Sequence, residues 1–319
     1  MKRALLVLAA ALTACGGASK IDPTAARNAL PTSSSVQIAS PGQSATATTG
    51  SNTALQTALA TSGTVSDAFK LTAGTAATVN VGVGLWIGLL EFVVALPPTS
   101  CTVDTCTWGP WKETNPLKVP ASYQLTVTKE GDSRYSYKVS GALASSPTTF
   151  VDIVVGSVTT NGVPHHGAGS FTVDFDAGGA FDPTSNDTGK LVVTHSNVAG
   201  LQIGMTLTGG TEQSGAHVGE TLNAAYAFDQ NATSGDLQVA LHYVTSGTQF
   251  TLHSRWDGTG AGRCDISSQA PTAAQWSECW GPSTDSPPFD LVYNSVNAVY
   301  SDPSACVFQT AAYATLTAP

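Results

Sequence analysis

The sequence has few charged residues and no cluster of basic ones. Charged side chains make up 11% of its 319 residues, and 13 Lys and Arg stand against 22 Asp and Glu, which gives a net charge of −9. The basic residues are scattered along the chain. Because binding to phosphate backbones and to anionic lipid surfaces depends on clustered positive charge, this excludes nucleic acid as a partner and adsorption to membranes through charge.

Motifs of common catalytic chemistry are also missing. The chain contains no Gly-x-Ser-x-Gly elbow, no phosphate-binding Gly-x-x-x-x-Gly-Lys-Ser/Thr loop and no dinucleotide fingerprint. The Cys-x-x-Cys and His-x-x-x-His spacings of zinc sites are absent as well. His165 and His166 are adjacent in a glycine-rich turn, where neighbouring side chains make a poor chelate, so we interpret them as exposed loop residues. We predict a protein without catalytic function that needs no cofactor.

No apolar run is long enough to predict a membrane-spanning helix, which needs about 20 apolar residues. The longest run, residues 79–96, is broken by glycines, carries the single charge of Glu91 and is followed by two prolines. From residue 85 its apolar side chains fall on all sides of a helical wheel, which predicts a buried helix with no solvent-facing side. Asn80 could begin such a helix, although the alternation of Val79, Val81 and Val83 also fits a strand.

The composition that remains, rich in Gly, Ser, Thr, Ala and Val, is typical of strands and turns. Tyr123, Leu125 and Val127 alternate with polar residues, a turn follows, and Tyr135 and Tyr137 alternate back, which predicts a hairpin. About nine such strands follow one another between residues 123 and 256 with short turns between them. The pattern predicts a mainly β fold: a long curved antiparallel meander, either a half-barrel or a barrel, wrapped around the buried apolar helix.

This layout resembles the curved half-barrel of periplasmic lipoprotein carriers and related lipid-binding lipoproteins. The resemblance lies in the order of strands and helix and not in a sequence motif. It implies a lipid or another hydrophobic molecule held in the interior of the sheet.

The amino terminus resembles a bacterial lipoprotein signal peptide. Lys2 and Arg3 precede an apolar stretch that ends in the box Leu12-Thr13-Ala14-Cys15. The resemblance implies cleavage after residue 14 and acyl chains on Cys15, which becomes the membrane anchor. Gly16, as a residue other than Asp after the lipidated cysteine, favours the outer membrane over the inner one.

The domain boundaries follow from this assignment. Residues 1–14 form the signal peptide. Residues 15–52 are rich in Ser, Thr, Pro and Ala and predict a disordered tether behind the lipidated cysteine. Residues 53–319 form a single β-rich domain. Its end, from about residue 256, is rich in tryptophan, cysteine and proline and predicts a disulfide-braced cap on the sheet.

The five cysteines that remain after lipidation predict disulfides, because an exported protein meets an oxidising compartment. Cys101 and Cys106 form the first predicted pair. Cys264 and Cys279 form the second, which leaves Cys306 over, unless Cys306 pairs with one of those two instead.

Two groups of residues are candidates for ligand sites. Asp174, Asp176 and Asp182 form the densest carboxylate cluster and could offer oxygen ligands to Ca²⁺. The full calcium-loop pattern is missing, so the sequence favours a solvated turn between strands. The second group is apolar and could bind a hydrophobic ligand, or its side chains could instead fill the ends of the sheet as part of the core. It comprises Trp86, Leu89, Leu90, Phe92, Trp108 and Trp111.

Together these features predict a membrane-anchored envelope lipoprotein whose non-catalytic β domain binds a hydrophobic ligand or lipid. The alternative is a structural or adhesion component with a solid core, recognised by a protein partner. A weaker alternative is a metal-dependent hydrolase that uses the three aspartates. The first hypothesis predicts a cavity beside residues 85–96, and the second predicts none.

Overall fold

The computed structural model describes residues 20–42, 65–113, 119–182, 185–213, 215–231, 234–269, 273–282, 289–296 and 301–319. Within these ranges the side chains of residues 34, 82, 85, 86, 89 and 215 are not described. The predicted signal peptide, Cys15 and residues 16–19 and 43–52 of the predicted tether lie outside the described residues.

The fold is mainly β, as predicted. Fourteen strands form one sheet in which every strand pairs antiparallel with its neighbours in the sequence. The order is an uninterrupted meander, and among the described residues β1 and β14 are its open edges. The strands are β1 Ser100–Cys101, β2 Thr105–Lys112, β3 Ala121–Lys129, β4 Arg134–Leu143, β5 Val151–Thr160, β6 Gly167–Asp174, β7 Lys190–Ser196, β8 Leu201–Thr211, β9 Thr221–Gln230, β10 Gly235–Tyr243, β11 Thr248–Trp256, β12 Gly262–Gln269, β13 Ala274–Pro282 and β14 Phe289–Asn294.

The predicted carboxy-terminal cap is instead a continuation of the sheet. Strands β12, β13 and β14 extend the meander beyond β11, and residues 301–319, the last described range, form a tail with a short 3-10 helix at Pro303–Ala305. The tail is held by side chains of the preceding strands. Arg263 donates to the carbonyls of Phe308 and Gln309, and Gln238 accepts from the backbone N–H of Thr315.

Within the described ranges three α-helices accompany the sheet: α1 Pro23–Ala29, α2 Asp67–Ala95 and α3 Phe175–Gly179. Helix α2 contains the predicted apolar run but starts earlier, so the strand interpretation of residues 79–83 is wrong. Its cap is Ser66, whose Oγ accepts from the Phe69 N–H, and not Asn80. It ends before the two prolines, where a helix loses its backbone donors. Among the described residues no helix is both long and apolar enough to cross a membrane.

Strands from both ends of the meander contact α2. At its first turn Glu278 of β13 accepts from the Ala68 N–H and from Ser66, and Thr72 lies 2.6 Å from the hydroxyl of Ser254 in β11. At its last turn the indole N–H of Trp108 in β2 donates to the Leu96 carbonyl over 2.9 Å. The sheet therefore curves around the helix, and its two ends satisfy polar groups at the two helix ends.

One stripe of α2 is buried at helical spacing. The stripe comprises Ala68, Phe69, Ala73, Ala76, Val79, Val83, Ile87, Leu90 and Val94. The expectation that the helix has no solvent-facing side from residue 85 onward is wrong, because Phe92 is 68% exposed and Leu96 is 39% exposed. The sheet covers the helix from one side and leaves part of the opposite face uncovered.

Residues 20–42, predicted as part of the tether, pack against α2 instead. Their apolar side chains, among them Leu30, Val36 and Ile38, are buried in the same core as the helix. Glu91, the single charge of the apolar run, accepts from the N–H and hydroxyl of Ser33. Asn80 exchanges hydrogen bonds with both backbone groups of Ile38. The average composition of the segment concealed these few apolar residues and their polar partners.

The described residues contain two disulfides. Cys101–Cys106 is present as predicted, whereas the second bridge joins Cys279 to Cys306 and leaves Cys264 free and buried. Cys264 pairs in register with Glu278, and Cys279 pairs with Arg263. Because adjacent strand residues point to opposite faces, Cys264 and Cys279 lie on different sides of the sheet and cannot bond. The predicted Cys264–Cys279 bridge is therefore wrong, and the open alternative through Cys306 is the one formed.

A buried histidine lies on the inner face of β7. His195 is 6% exposed, and its Nδ1 has no hydrogen-bond partner among the described residues. Burial without a countercharge disfavours the imidazolium and lowers the pKa of His195 from 6.5 to about 4. Below pH 6.5 His195 therefore binds a proton in the unfolded chain, whereas in the folded chain it stays neutral until the pH nears 4.

We expect the free energy of unfolding to fall as the pH drops through this window, and His195→Leu should remove part of that fall. The pKa shift corresponds to roughly 3 kcal/mol in total. Between about pH 7 and pH 4.5 the free energy of unfolding of the variant should therefore fall by about 2 kcal/mol less than that of the wild type. Urea unfolding at both pH values measures the difference. The exposed His166, replaced by Gln, is the control, and equal losses in all three proteins would contradict the assignment.

Candidate functional site

An apolar cavity of about 790 Å³ lies beside the carboxy-terminal part of α2. Helix α2 forms one wall, strands β2 to β5 form the second, and α3 with the residues after it forms the third. Most of the lining side chains are aliphatic or aromatic. The lining comprises Leu90, Phe92, Val93, Leu96, Trp111, Lys112, Glu113, Tyr123, Gln124, Leu125, Val139, Ile153, Asp174, Phe175, Gly178, Gly179, Phe181, Asp182, Ser185 and Asp187.

The helical wall is partly open to solvent. Leu90 is buried, but Phe92 is 68% exposed and Leu96 is 39% exposed. Large apolar side chains that face both a cavity and solvent expose area that a bound apolar molecule would remove from water. The arrangement is therefore suited to a hydrophobic ligand that enters along this end of the helix.

The third wall is held in place by the aspartate-rich segment. Asp174 accepts from the Ala177 N–H and forms an ion pair with Lys190 at 2.8 Å, and Asp176 accepts from the Gly189 N–H. The hydrogen bond from Lys190, followed by that from Ala177, lowers the pKa of Asp174. These bonds fix α3 against the start of β7 and position Phe175 at the cavity.

Phe181 closes the inner end of this wall. It is buried, and its ring centroid lies 5.7 Å from that of Tyr123 in β3. A Cβ atom at Gly141 of β4 would approach the Phe181 ring to 2.8 Å, so the ring fits only because that strand position carries no side chain. The wall is therefore built by close packing of an aromatic ring onto a glycine.

Two of the aspartates predicted as calcium ligands, Asp174 and Asp176, contact the backbone amides and the lysine named above. Within the described part of the chain no group of three or more His, Cys, Asp or Glu side chains is arranged to hold a metal ion. Asp174 and Asp176 contact backbone amides and Lys190, and Asp182 lies on the cavity lining. The cluster serves the cavity wall in this structure.

The predicted apolar ligand residues divide into three groups. Leu90, Phe92 and Trp111 line the cavity. Trp108 does not, because it is fully buried and bonded to the end of α2. The side chains of Trp86 and Leu89 lie outside the described residues.

The sequence patterns do not mark four further cavity residues, Tyr123, Ile153, Phe175 and Phe181. The signal that could have found two of them is the pair of phenylalanines on either side of the Asp-Ala-Gly-Gly-Ala stretch, which the carboxylates obscured. Tyr123 and Ile153 are inner-face residues of ordinary strands, and nothing local distinguishes them from core positions.

Comparisons with known proteins give no relative. No protein-family model, no curated protein and no solved structure matches the chain.

Removal of the Phe181 ring should destabilise the fold, whereas removal of the Phe92 ring should not. Phe181→Ala deletes a buried ring, which typically costs about 3–5 kcal/mol, and Phe92→Ala deletes an exposed one, with an effect within about 0.5 kcal/mol. Urea unfolding of both variants measures the free energies. Comparable losses in the two proteins would show that Phe181 does not support the cavity wall in this way.

Proposed function

We propose that this chain is a non-catalytic envelope lipoprotein whose β domain holds a hydrophobic ligand, such as a lipid, in the apolar cavity beside α2. The observation that carries the proposal is the cavity itself. Its volume of about 790 Å³ and its mainly apolar lining resemble small-molecule sites, which typically measure about 300–1,000 Å³. The alternative of a structural component with a solid core predicts no such space.

The ligand's chemistry follows from the lining. The walls from α2 and the inner face of the sheet offer aliphatic and aromatic contacts, whereas polar side chains such as Lys112 and Gln124 occupy only part of the lining. A molecule with a long apolar body would bury the most surface there, and burial of apolar area is the main source of its binding energy.

The anchor is the second part of the proposal. The box that ends at Cys15 supports acylation of that cysteine, and two or three acyl chains hold a protein stably on a membrane. Gly16 after it supports the outer membrane of the bacterial envelope. An anchored domain with an apolar cavity would meet lipids or other hydrophobic molecules at the membrane surface. No catalytic residue is part of this proposal.

The ligand hypothesis predicts that residues 20–319, produced in a periplasm and purified without detergent, carry an apolar molecule. The protein should start at residue 20 because residues 20–42 belong to the core. Native mass spectrometry should show a mass above that of the chain with two disulfides, and extraction should release the ligand. Gly178→Phe should reduce the occupied fraction at least about tenfold, because the new ring enters the cavity.

Gly131→Phe is the matched control. A Cβ at Gly178 meets only Ile153, at 3.7 Å, and one at Gly131 meets nothing within 4 Å, so both positions accept a side chain without backbone conflict. Gly131 lies in the turn after β3, away from the cavity. A bare chain in the wild type, or equal occupancy in the two variants, would refute ligand carriage in this cavity and favour a protein partner instead.

The anchor hypothesis predicts that cells fed an alkyne analogue of palmitate incorporate it into the full-length protein. Cys15→Ser should abolish the label and release the protein from the membrane fraction, because the acylated sulfur is gone. Cys264→Ser removes another unpaired thiol and should keep both the label and the membrane location. Label that persists in the Cys15 variant would disprove lipidation at this residue.

A further inference from the structure

A second concave surface lies on the outer face of the sheet, across strands β7 to β11. It encloses about 850 Å³ and is more polar than the cavity beside α2. The register explains its shape. Thr194, Gly204, Ala227 and Gln238 follow one another across β7 to β10 in a single row, so two minimal side chains lie between two longer ones. The row forms a hollow with Gly204 and Ala227 as its floor.

The next row on the same face is polar throughout. It runs from Ser196 through Gln202, Asp229 and Asp236 to Arg255. Gln202 donates to one oxygen of Asp229 at 3.2 Å, and His253 lies 2.9 Å from one oxygen of Asp236. These side chains supply hydrogen-bond donors and acceptors side by side along the hollow.

One edge of the hollow is aromatic and rigidly held. Phe308 of the carboxy-terminal tail lies against Arg255, whose guanidinium carbon is 5.0 Å from the ring centroid. The carbonyl of Phe308 accepts from Arg263, and the nearby Cys306 is bonded to Cys279 of β13. The ring is thereby fixed at the rim of the hollow before any ligand arrives.

The chemistry of this surface selects among ligand classes. Asp229 and Asp236 face each other across β9 and β10, so their charges disfavour an anion. An apolar molecule would displace water from the polar row without replacing the hydrogen bonds that the row makes to water, at a cost for each group. A sugar ring offers hydroxyl groups to carboxylates and amides and an apolar face to an aromatic ring. We propose that this hollow binds a neutral oligosaccharide.

The site is independent of the proposed lipid cavity, because the two lie on opposite faces of the sheet. Cello-, malto- and chitohexaose are suitable probes, titrated calorimetrically into the protein comprising residues 20–319. At least one should bind with a dissociation constant below about 1 mM. Ala227→Leu, which fills the floor, should weaken that binding at least about tenfold, and Asp229→Asn should do so through one lost charged acceptor.

Two controls separate a site from an effect on folding. Thr206→Leu adds a similar side chain on β8, in the neighbouring row outside the hollow, and should leave the affinity unchanged. Gly178→Phe, which fills the lipid cavity, should leave it unchanged as well. If Ala227→Leu does not fold, the sugar affinity of the isosteric variant Asp229→Asn alone tests the proposal. Absence of binding by all three sugars at about 1 mM, or equal affinity in wild type and Asp229→Asn, would overturn the proposal.

Discussion

The fold depends on covering an apolar helix that has polar groups at both ends and along one side. Helix α2 is 29 residues long, and its buried stripe runs through the core of the sheet. Apolar burial alone would leave its first N–H groups and its last carbonyls without partners. Glu278 accepts a hydrogen bond from the Ala68 N–H in the first turn, and the Trp108 indole donates one to the Leu96 carbonyl after the last turn. These two side chains come from strands near opposite ends of the meander. Curvature of the sheet around the helix therefore serves hydrogen bonding as well as apolar burial.

The side of α2 that the sheet leaves open explains both the amino-terminal segment and the cavity. Residues 20–42 cover part of that side and satisfy Glu91 and Asn80, the two polar groups that would otherwise be costly next to an apolar core. The segment does not cover Phe92 or Leu96 at the helix end. The cavity begins there, so the proposed ligand occupies the part of the helix that the protein itself leaves uncovered.

The strands and the helix could be predicted because their signals are local. The alternation of Tyr123, Leu125 and Val127 marks β3 in the sequence, and the prolines mark the end of α2. The bridge between Cys279 and Cys306 could not be predicted, because a one-residue offset in the pairing of β12 with β13 decides which face each cysteine occupies. The cavity wall could not either, since Phe181 and Gly141 are distant in the sequence and meet only in the folded chain.

The carboxy-terminal tail belongs to the fold for an electrostatic reason. Asp265 is fully buried on the outer face of β12, where an unpaired carboxylate would be strongly destabilising. It accepts from Arg263, Arg255 and Ser277, and the tail adds the Ala312 N–H. Both arginines in turn donate to tail carbonyls. The tail therefore shields and completes this charge network, and the same contacts hold Phe308 at the rim of the polar hollow.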